Sequence, residues 1–216
     1  MHESINALDN KYTKGNGTQT SPFIIKNPRQ LDNLRNDSTV YYALGSDICF
    51  ENSCDVFFAP FYNEGKGWAP IGSEYDGKPF SGSLEGADYG IKDLHIVASI
   101  SDGDNVGLFG ATNDATLTNI VVDGNIEIDV AGCEKVNVGS LVGLAEGGAI
   151  SNCVNNATIA AKVSNYIADS ANACQVGGLI GEASDVEMLS GCSNSDQAEI
   201  NLDFGVEPSA ASVDKS

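Results

Sequence analysis

The sequence predicts an all-β fold, a right-handed parallel β-helix (β-solenoid) closed at its N-terminal end by a small cap that contains a helix. Three observations predict it. Short apolar runs are interrupted by Gly, Asn and Asp, a Gly-bounded apolar strand recurs, and a related six-residue segment follows each such strand. Short apolar runs between turn residues are typical of β-strands joined by tight turns.

The repeat has two parts that return in the same order. The Gly-bounded strands are residues 82–86, 107–110, 139–143 and 177–181, and the six-residue segments are 91–96, 117–122, 150–155 and 189–194. From Leu94 to Ile120 is 26 residues, to Cys153 a further 33, and to Cys192 a further 39. A fixed strand pattern with lengthening connections predicts stacked coils that take insertions at one corner.

Stacking would place equivalent positions in inward-facing ladders, because one coil alone cannot bury its apolar face. The six-residue segments supply one predicted ladder: Leu94, Ile120, Cys153 and Cys192. The Gly-bounded strands supply the other: Leu84, Phe109, Leu141 and Leu179. We expect these eight side chains to form a single core, with coils roughly 4.8 Å apart.

Four regions are predicted along the chain. Residues 1–14 are expected to be a disordered segment, 15–79 the cap and leader, 80–206 the solenoid, and 207–216 a disordered tail. In the cap, Asn27 is expected to be a helix N-cap and Pro28 the first helical residue. A helix before a stack of strands would cover the core of the first coil.

Charge and composition exclude several classes of function. The 216 residues contain 11 Lys and Arg against 30 Asp and Glu, a net charge of −19. Such a surface repels phosphate backbones and anionic headgroups, so we expect no nucleic-acid partner. No apolar span approaches the length of a membrane helix, and the N-terminal residues lack the pattern of a signal peptide, so no membrane insertion by this segment is expected.

Three stretches resemble the signature of the GLUG-motif repeats: Val-Gly-Leu-Phe-Gly at 106–110, Val-Gly-Ser-Leu-Val-Gly at 138–143 and Val-Gly-Gly-Leu-Ile-Gly at 176–181. These repeats occur in bacterial surface adhesin-like proteins and in the non-catalytic region of immunoglobulin A peptidases. The resemblance covers roughly residues 15–195 and departs from the pattern at 49–67 and 185–188. It implies a β-helical fold and an extracellular setting, but no particular ligand.

The six cysteines have different expected roles. Cys153 and Cys192 occupy ladder positions that earlier repeats fill with Leu or Ile, so we expect free, stacked thiols that pack as small apolar groups. Two disulfides are left open as possibilities, Cys49–Cys54 within one loop and Cys133–Cys174 between two inserted corners. The cysteine spacing is not that of a zinc site, and we predict no metal or other cofactor.

Catalytic groups are sparse. The two histidines, His2 and His95, lie far apart, which gives little support to a Ser-His or Cys-His arrangement, so we expect no enzyme. Glu127 and Asp129 alternate with apolar residues and are therefore expected on an outer strand face, as a solvated acidic surface or as carboxylates of a glycan-processing β-helix.

Aromatic residues offer the best ligand candidates. Phe57, Phe58 and Tyr62 lie where the chain departs from the GLUG pattern and could stack on a sugar or dock a partner. Trp68 lies in the family-like leader and is assigned to packing.

The sequence predicts an extracellular or cell-surface, non-catalytic repeat module that acts as a rigid stalk and contact surface. The expected partner is a host or neighbouring-cell protein or glycan, alongside further domains of a longer parent chain. One alternative is a carbohydrate-binding module that uses the aromatic segment 57–62. The other is a β-helical polysaccharide lyase or hydrolase.

Overall fold

The computed structural model describes residues 12, 14–50, 65–73, 77–100, 104–131, 135–164 and 174–204. Over these ranges the chain is mostly β-strand arranged in parallel sheets, with one short α-helix. The predicted all-β class is therefore confirmed.

The helix lies near the N-terminus and begins as its sequence predicts. Helix α1 (Pro28–Asp32) runs into a 3-10 turn (Asn33–Arg35). The Asn27 side chain accepts a hydrogen bond from the Gln30 backbone N–H at 2.9 Å, and Gln30 Oε1 accepts one from the Lys26 N–H at 2.8 Å. These two bonds satisfy backbone donors at the helix start, and Leu31 and Leu34 are buried on its inner face.

Nineteen strands are found in the described part of the chain. They are β1 (Phe23–Ile25), β2 (Tyr41–Leu44), β3 (Ile48–Cys49), β4 (Ser83–Glu85), β5 (Gly90–Ile100), β6 (Asn105–Val106), β7 (Phe109–Asn113), β8 (Thr116–Thr118), β9 (Val121–Ala131), β10 (Val136–Val138), β11 (Val142–Glu146), β12 (Ala149–Ser151), β13 (Val154–Asn155), β14 (Thr158–Ser164), β15 (Cys174–Val176), β16 (Ile180–Ser184), β17 (Met188–Ser190), β18 (Ser193–Asn194) and β19 (Glu199–Phe204).

The strands form four sheets, and every named strand pair is parallel. Sheet 1 has the order β1-β2-β4-β8-β12-β17, sheet 2 the order β6-β10-β15, and sheet 3 the order β7-β11-β16. Sheet 4 contains β3, β5, β9, β13, β14, β18 and β19. From β6 onward the chain passes through sheets 2, 3, 1 and 4 in that order three times, and the third pass ends at β19.

Register places similar residues above one another in sheet 1. Leu84 pairs with Leu117, Leu117 with Ile150, and Ile150 with Leu189. In sheet 3, Phe109 pairs with Val142 and Val142 with Ile180. Apolar side chains that repeat at the same register position pack against each other along the stack.

The first repeat departs from the predicted alignment. Leu94 lies opposite Gly124 instead of Ile120, because Leu84, and not Ile91, is the residue that pairs with Leu117, and Gly90 already pairs with Val121. Between Ile91 and Leu94 the register of β5 shifts by one further residue. Asp93, inside this irregular stretch, has a φ of 58°. The second predicted ladder is also divided between two sheets, because Leu84 belongs to sheet 1 and Phe109 to sheet 3. Hydrophobic spacing alone cannot reveal a bulge, which adds residues to one strand without changing its partner.

A single apolar core runs through the stack, from Ile25 to Leu179. Aromatic rings fill its N-terminal part, where Phe80 lies 4.7 Å from Phe109 between ring centroids. Trp68 is buried and its Nε1–H donates to the Leu108 carbonyl at 3.0 Å. The Arg35 guanidinium lies 5.0 Å from the Trp68 ring centroid, so Trp68 packs between the core and a cation.

Candidate functional site

A groove of about 610 Å³ lies on the outer face of sheet 4. It crosses strands β5, β9, β14 and β19, which pair side by side in that order. Strands β5 and β9 have 11 residues each, whereas most strands of the other sheets have 2 to 5. The long strands therefore provide an extended face on which outward side chains form rows across four paired strands.

Two rows of outward side chains line the groove. The first row is Val97, Glu127, Ala160 and Asn201, and the second is Ser99, Asp129, Lys162 and Asp203. The first row carries one charge, the Glu127 carboxylate, and the second carries three, those of Asp129, Lys162 and Asp203. Parallel strands separated by roughly 4.8 Å hold these groups at fixed intervals, because register fixes each position.

Glu127 and Asp129 are exposed, while Ile126, Ile128 and Val130 between and beside them are buried. This is the alternation that the sequence predicts for β9. The Asn125 side-chain amide donates to Glu127 Oε1 at 2.6 Å and orients that carboxylate at the groove.

Lys162 is the cation of the groove. It lies in register between Asp129 on β9 and Asp203 on β19. Within the described ranges, ion pairs shorter than 4 Å involve Arg35, Lys92 and Lys135, and Lys162 is not among them. Its ammonium and the two flanking carboxylates are therefore available to a ligand. A mixed row of this kind suits hydrogen bonding and charge pairing with a polar ligand.

None of the described residues that line the groove is aromatic, and His95, which is exposed on β5, is not among them. In the part of the chain that the structure describes, no three His, Cys, Asp or Glu side chains are grouped so that they could hold one metal ion. Among the helices of the same part of the chain, none is both long and apolar enough to cross a membrane.

The predicted ligand residues Phe57, Phe58 and Tyr62 lie outside the described residues, and their role stays a prediction. Cys54 and Cys133 also lie outside them, so both proposed disulfides stay predictions as well. Cys49, the predicted partner of Cys54, donates a hydrogen bond from Sγ to Asp93 Oδ2 at 3.1 Å. Cys174 begins strand β15.

Cys153 and Cys192 follow the paired strands β12 and β17 and are free thiols. Ile120, Cys153 and Cys192 occupy equivalent positions, because each directly precedes a residue of one paired set. That set is Val121, Val154 and Ser193, which pair side by side in register. Cys153 is fully buried and burial raises the pKa of its thiol to about 12. A protonated, inaccessible thiol is a poor nucleophile, so Cys153 acts as a packing residue.

Sequence reasoning did not find the groove. It placed Glu127 and Asp129 outside but did not connect them with Lys162 or Asp203, which follow in later coils. The insertions that precede β10 and β15 vary in length, so the register of sheet 4 had to come from the structure. The available signal was the apolar alternation of 126–130, 159–163 and 200–202, which places the intervening residues outward.

Comparisons with known proteins give two relatives, and no family model matches the chain. The chain is 32% identical over 142 residues to Halomucin from Haloquadratum walsbyi, an alignment that covers 60% of this chain and 2% of that protein. It is 30% identical over 146 residues to the "Putative Gly-rich membrane protein" of Evansella cellulosilytica, covering 66% of this chain and 16% of that protein. The chain thus spans a small fraction of the length of both.

One solved structure is similar, described as the "Crystal structure of a putative immunoglobulin A1 protease from Bacteroides ovatus". The alignment covers 88% of this chain and 80% of that chain, with 16% sequence identity and a TM-score of 0.42. At this level of similarity the comparison adds nothing to the functional argument.

Proposed function

We propose that the chain is a right-handed parallel β-helix that serves as an extracellular, non-catalytic repeat module of an adhesin-like surface protein. In this proposal the stacked coils form a rigid stalk, and the groove of sheet 4 is the surface that contacts a protein or glycan partner.

The recurring topology supports the β-helix. Three successive passes through the same four parallel sheets are what a coil wound around one core produces. The resemblance of residues 106–110, 138–143 and 176–181 to GLUG repeats supports the same fold. Right-handed winding is the form that parallel strand connections favour.

The surface setting is supported by the relatives and by charge. One relative is named as a mucin and the other as a Gly-rich membrane protein. A net charge of −19 keeps such a chain soluble and repels anionic surfaces.

The observation that carries the contact function is the groove itself. It is concave, it crosses four strands, and Asp129, Lys162 and Asp203 stand in one row along it. Because the side chains project from paired strands, a ligand meets them already in place and loses little free energy to ordering them.

A blocking substitution tests this function. Ala160 lies in the centre of the groove, between Glu127 and Asn201. The unaltered protein is first screened against neutral, sialylated and sulfated glycans and against immobilised collagen, fibronectin and mucin. Ala160→Trp should fill the groove and abolish binding to each probe that the unaltered protein binds. Ala149→Trp is the matched control, because Ala149 is a half-buried alanine on sheet 1, away from the groove. Equal binding by both variants would exclude the groove as the contact surface.

The non-catalytic part of the proposal has its own test. Turnover of an anionic polysaccharide that disappears on Asp129→Asn would instead support the lyase or hydrolase alternative. The carbohydrate-binding alternative requires glycan binding that is lost on Phe58→Ala and Tyr62→Ala and kept in Ala160→Trp.

A further inference from the structure

Three short motifs of the sequence match the acceptor pattern for N-linked glycans, which is Asn-x-Ser or Asn-x-Thr with x other than Pro. They begin at Asn16, Asn36 and Asn156. A motif this short also arises by chance, and it can be modified only where the asparagine is accessible on a secreted chain. All three asparagines are among the described residues, so the structure distinguishes them.

Asn16 lies on a tight turn before β1, and its side chain is exposed. The Thr18 hydroxyl donates to Asn16 Oδ1 at 2.8 Å, and the Thr18 backbone N–H donates to the same oxygen at 3.3 Å. A backbone N–H can only donate, so the amide atom that faces Thr18 is the carbonyl oxygen and Nδ2 is on the other side. Among the described residues, no hydrogen bond is formed from Nδ2. The nitrogen that a glycan would be attached to is therefore directed away from Thr18 and is accessible.

The turn that carries Asn16 is held by backbone hydrogen bonds. The N–H groups of Asn16 and Gly17 both donate to the Ser21 carbonyl, at 2.9 and 3.1 Å, and the Tyr41 N–H donates to the Gly17 carbonyl at 3.0 Å. Gly17, the middle residue of the motif, is buried and has a φ of 78°, which favours glycine. Asn16 and Thr18 are both exposed on either side of it, so the motif can be reached without unfolding the turn.

The other two motifs are arranged differently. Asn36 is exposed, but its Nδ2 already donates to Asn33 Oδ1 at 3.2 Å. Asn156 is half-buried between β13 and β14, and its backbone N–H donates to the Val122 carbonyl at 2.7 Å. An enzyme would have to break a side-chain hydrogen bond at Asn36 and to open the strands of sheet 4 at Asn156.

We infer that Asn16 carries an N-linked glycan, an inference that rests on the extracellular setting of the proposed function. The donor is an oligosaccharide joined through phosphate to a membrane lipid, and the catalyst is an oligosaccharyltransferase of the cell. Attachment places a bulky, hydrated group on the cap.

The transfer makes one bond and breaks one. Asn16 Nδ2 forms a bond to the anomeric carbon of the first sugar, and the bond from that carbon to the phosphate oxygen breaks. The lipid phosphate leaves, and one amide proton passes to a base of the enzyme. The two donors at Asn16 Oδ1 draw electron density toward the oxygen, which favours loss of this proton.

Mass spectrometry of the protein isolated from the cells that make it is the direct test. Cleavage after Lys and Arg places the three asparagines in separate peptides, residues 15–26, 36–66 and 136–162. The first peptide should have the mass of a glycan added, and the other two should be unmodified. An unmodified Asn16 in that protein would overturn the inference.

Transfer in vitro separates the site from its setting. The folded, unglycosylated chain is incubated with a purified single-subunit oligosaccharyltransferase and a lipid-linked oligosaccharide. Asn16 should be modified, whereas Asn36 and Asn156 should be modified only in short synthetic peptides, where no fold hinders them. Failure at Asn16 in the folded chain would show that the site is wrong. Success there, with an unmodified Asn16 in the cell, would show that the extracellular setting is wrong. The Ala160→Trp test does not involve Asn16, so contact through the groove stands or fails separately.

Substitutions of Thr18 test the hydrogen bond to Asn16. Thr18→Val keeps the shape of the side chain without its hydroxyl and should abolish transfer to Asn16, whereas Thr18→Ser keeps the hydroxyl and should keep transfer. The matched controls, Asn36→Gln and Asn156→Gln, should leave modification of Asn16 unchanged, and thermal unfolding verifies that each variant is folded. Unchanged transfer in Thr18→Val, or equal modification of Asn156 in the folded chain, would contradict the choice of Asn16.

Discussion

Leu141 lies at the centre of the core, where a charge has no compensating partner. Its side chain is fully buried, and its backbone N–H donates to the Leu179 carbonyl at 3.0 Å in the next repeat of the chain. Leu141→Asp should lower the free energy of unfolding by several kcal/mol, because a buried carboxylate loses its hydration. Leu141→Met nearly conserves volume and should cost less than about 1.5 kcal/mol. Urea unfolding followed by circular dichroism measures both, and an unchanged midpoint for the Asp variant would contradict the inward assignment.

Glu85 is a carboxylate held at a corner by three donors. It accepts hydrogen bonds from the Thr118 hydroxyl at 2.5 Å, the Asn119 amide at 2.8 Å and the Ala87 N–H at 2.9 Å. Burial alone would raise its pKa, but these hydrogen bonds outweigh burial and hold the pKa of Glu85 below the ordinary value of 4.5. The bonded carboxylate therefore stabilises the fold above about pH 4.5, and this stabilisation is lost as pH falls through the lower folded pKa.

Substitution of Glu85 tests this pH dependence. Glu85→Gln should be less stable than the unaltered protein at pH 7, and the difference should shrink progressively below about pH 4.5. Glu127→Gln, which makes the same charge change on the exposed outer face, is the control. The measurement is the free energy of urea unfolding at a series of pH values. A difference that stays constant from pH 7 to pH 3 would show that the carboxylate form of Glu85 is not what stabilises the corner.

At the scale of the strand, glycine sets how closely sheets 2 and 3 approach. A β-carbon at Gly143 would lie 2.6 Å from the Val106 backbone N and 2.8 Å from the Gly110 carbonyl oxygen. Both contacts are with backbone atoms of the earlier strands β6 and β7, which cannot move away without disturbing their own strand pairing. Gly181 repeats the arrangement one coil later, with 2.5 Å to the Val138 backbone N.

Gly143→Ala should therefore destabilise the protein by about 1–3 kcal/mol through overpacking. Gly90→Ala is the matched control, since its β-carbon would meet only ordinary contacts, the nearest at 3.4 Å from the Val121 carbonyl oxygen. Thermal and urea unfolding of the two variants compare the effects. If Gly143→Ala proved as stable as Gly90→Ala, close approach of the strands would not be the reason for glycine in this motif.

At the scale of the molecule, the net charge of −19 opposes compaction. Ion pairs of the described residues include Arg35–Asp32, Lys92–Asp47 and Lys135–Glu182. All three are at least partly exposed to solvent, so each contributes little to stability and is weakened by salt. Repulsion among the surplus carboxylates is the larger effect, so screening should stabilise the fold.

Raising NaCl from about 0.05 to 1 M shortens the screening length from over 10 Å to about 3 Å. We expect a rise in Tm of at least about 2–4 °C, which corresponds to about 1 kcal/mol for a chain of this size. Differential scanning calorimetry measures it. The double variant Glu127→Gln and Asp129→Asn, with less surplus charge, should show a smaller rise. A Tm that falls with salt would mean that the ion pairs outweigh the repulsion.

Much of the fold could be predicted because its signals are local. The N-cap at Asn27, the helical start at Pro28 and the alternation of 126–130 depend on neighbouring residues, and the structure places each as expected. The alignment of Leu94 with Ile120 was wrong because Leu84 pairs with Leu117, so residues 84–85, and not 91–92, lie beside 117–118. The spacing of apolar residues does not show which of two nearby segments pairs with a given strand. The groove was missed because its charged row joins residues from three strands that are far apart in the sequence, β9, β14 and β19.

The sequence by itself determined that this chain is all-β, strongly acidic and built from recurring Gly-bounded strands, because periodicity, charge and turn residues act within a few positions of each other. Only the tertiary structure decided which residues are neighbours across coils. Lys162 lies between Asp129 and Asp203, and β19 exposes Ile200 and Leu202. The physical reason is the register between parallel strands. The connections between these strands differ in length, so the sequence does not specify which residue of one strand pairs with which residue of the next.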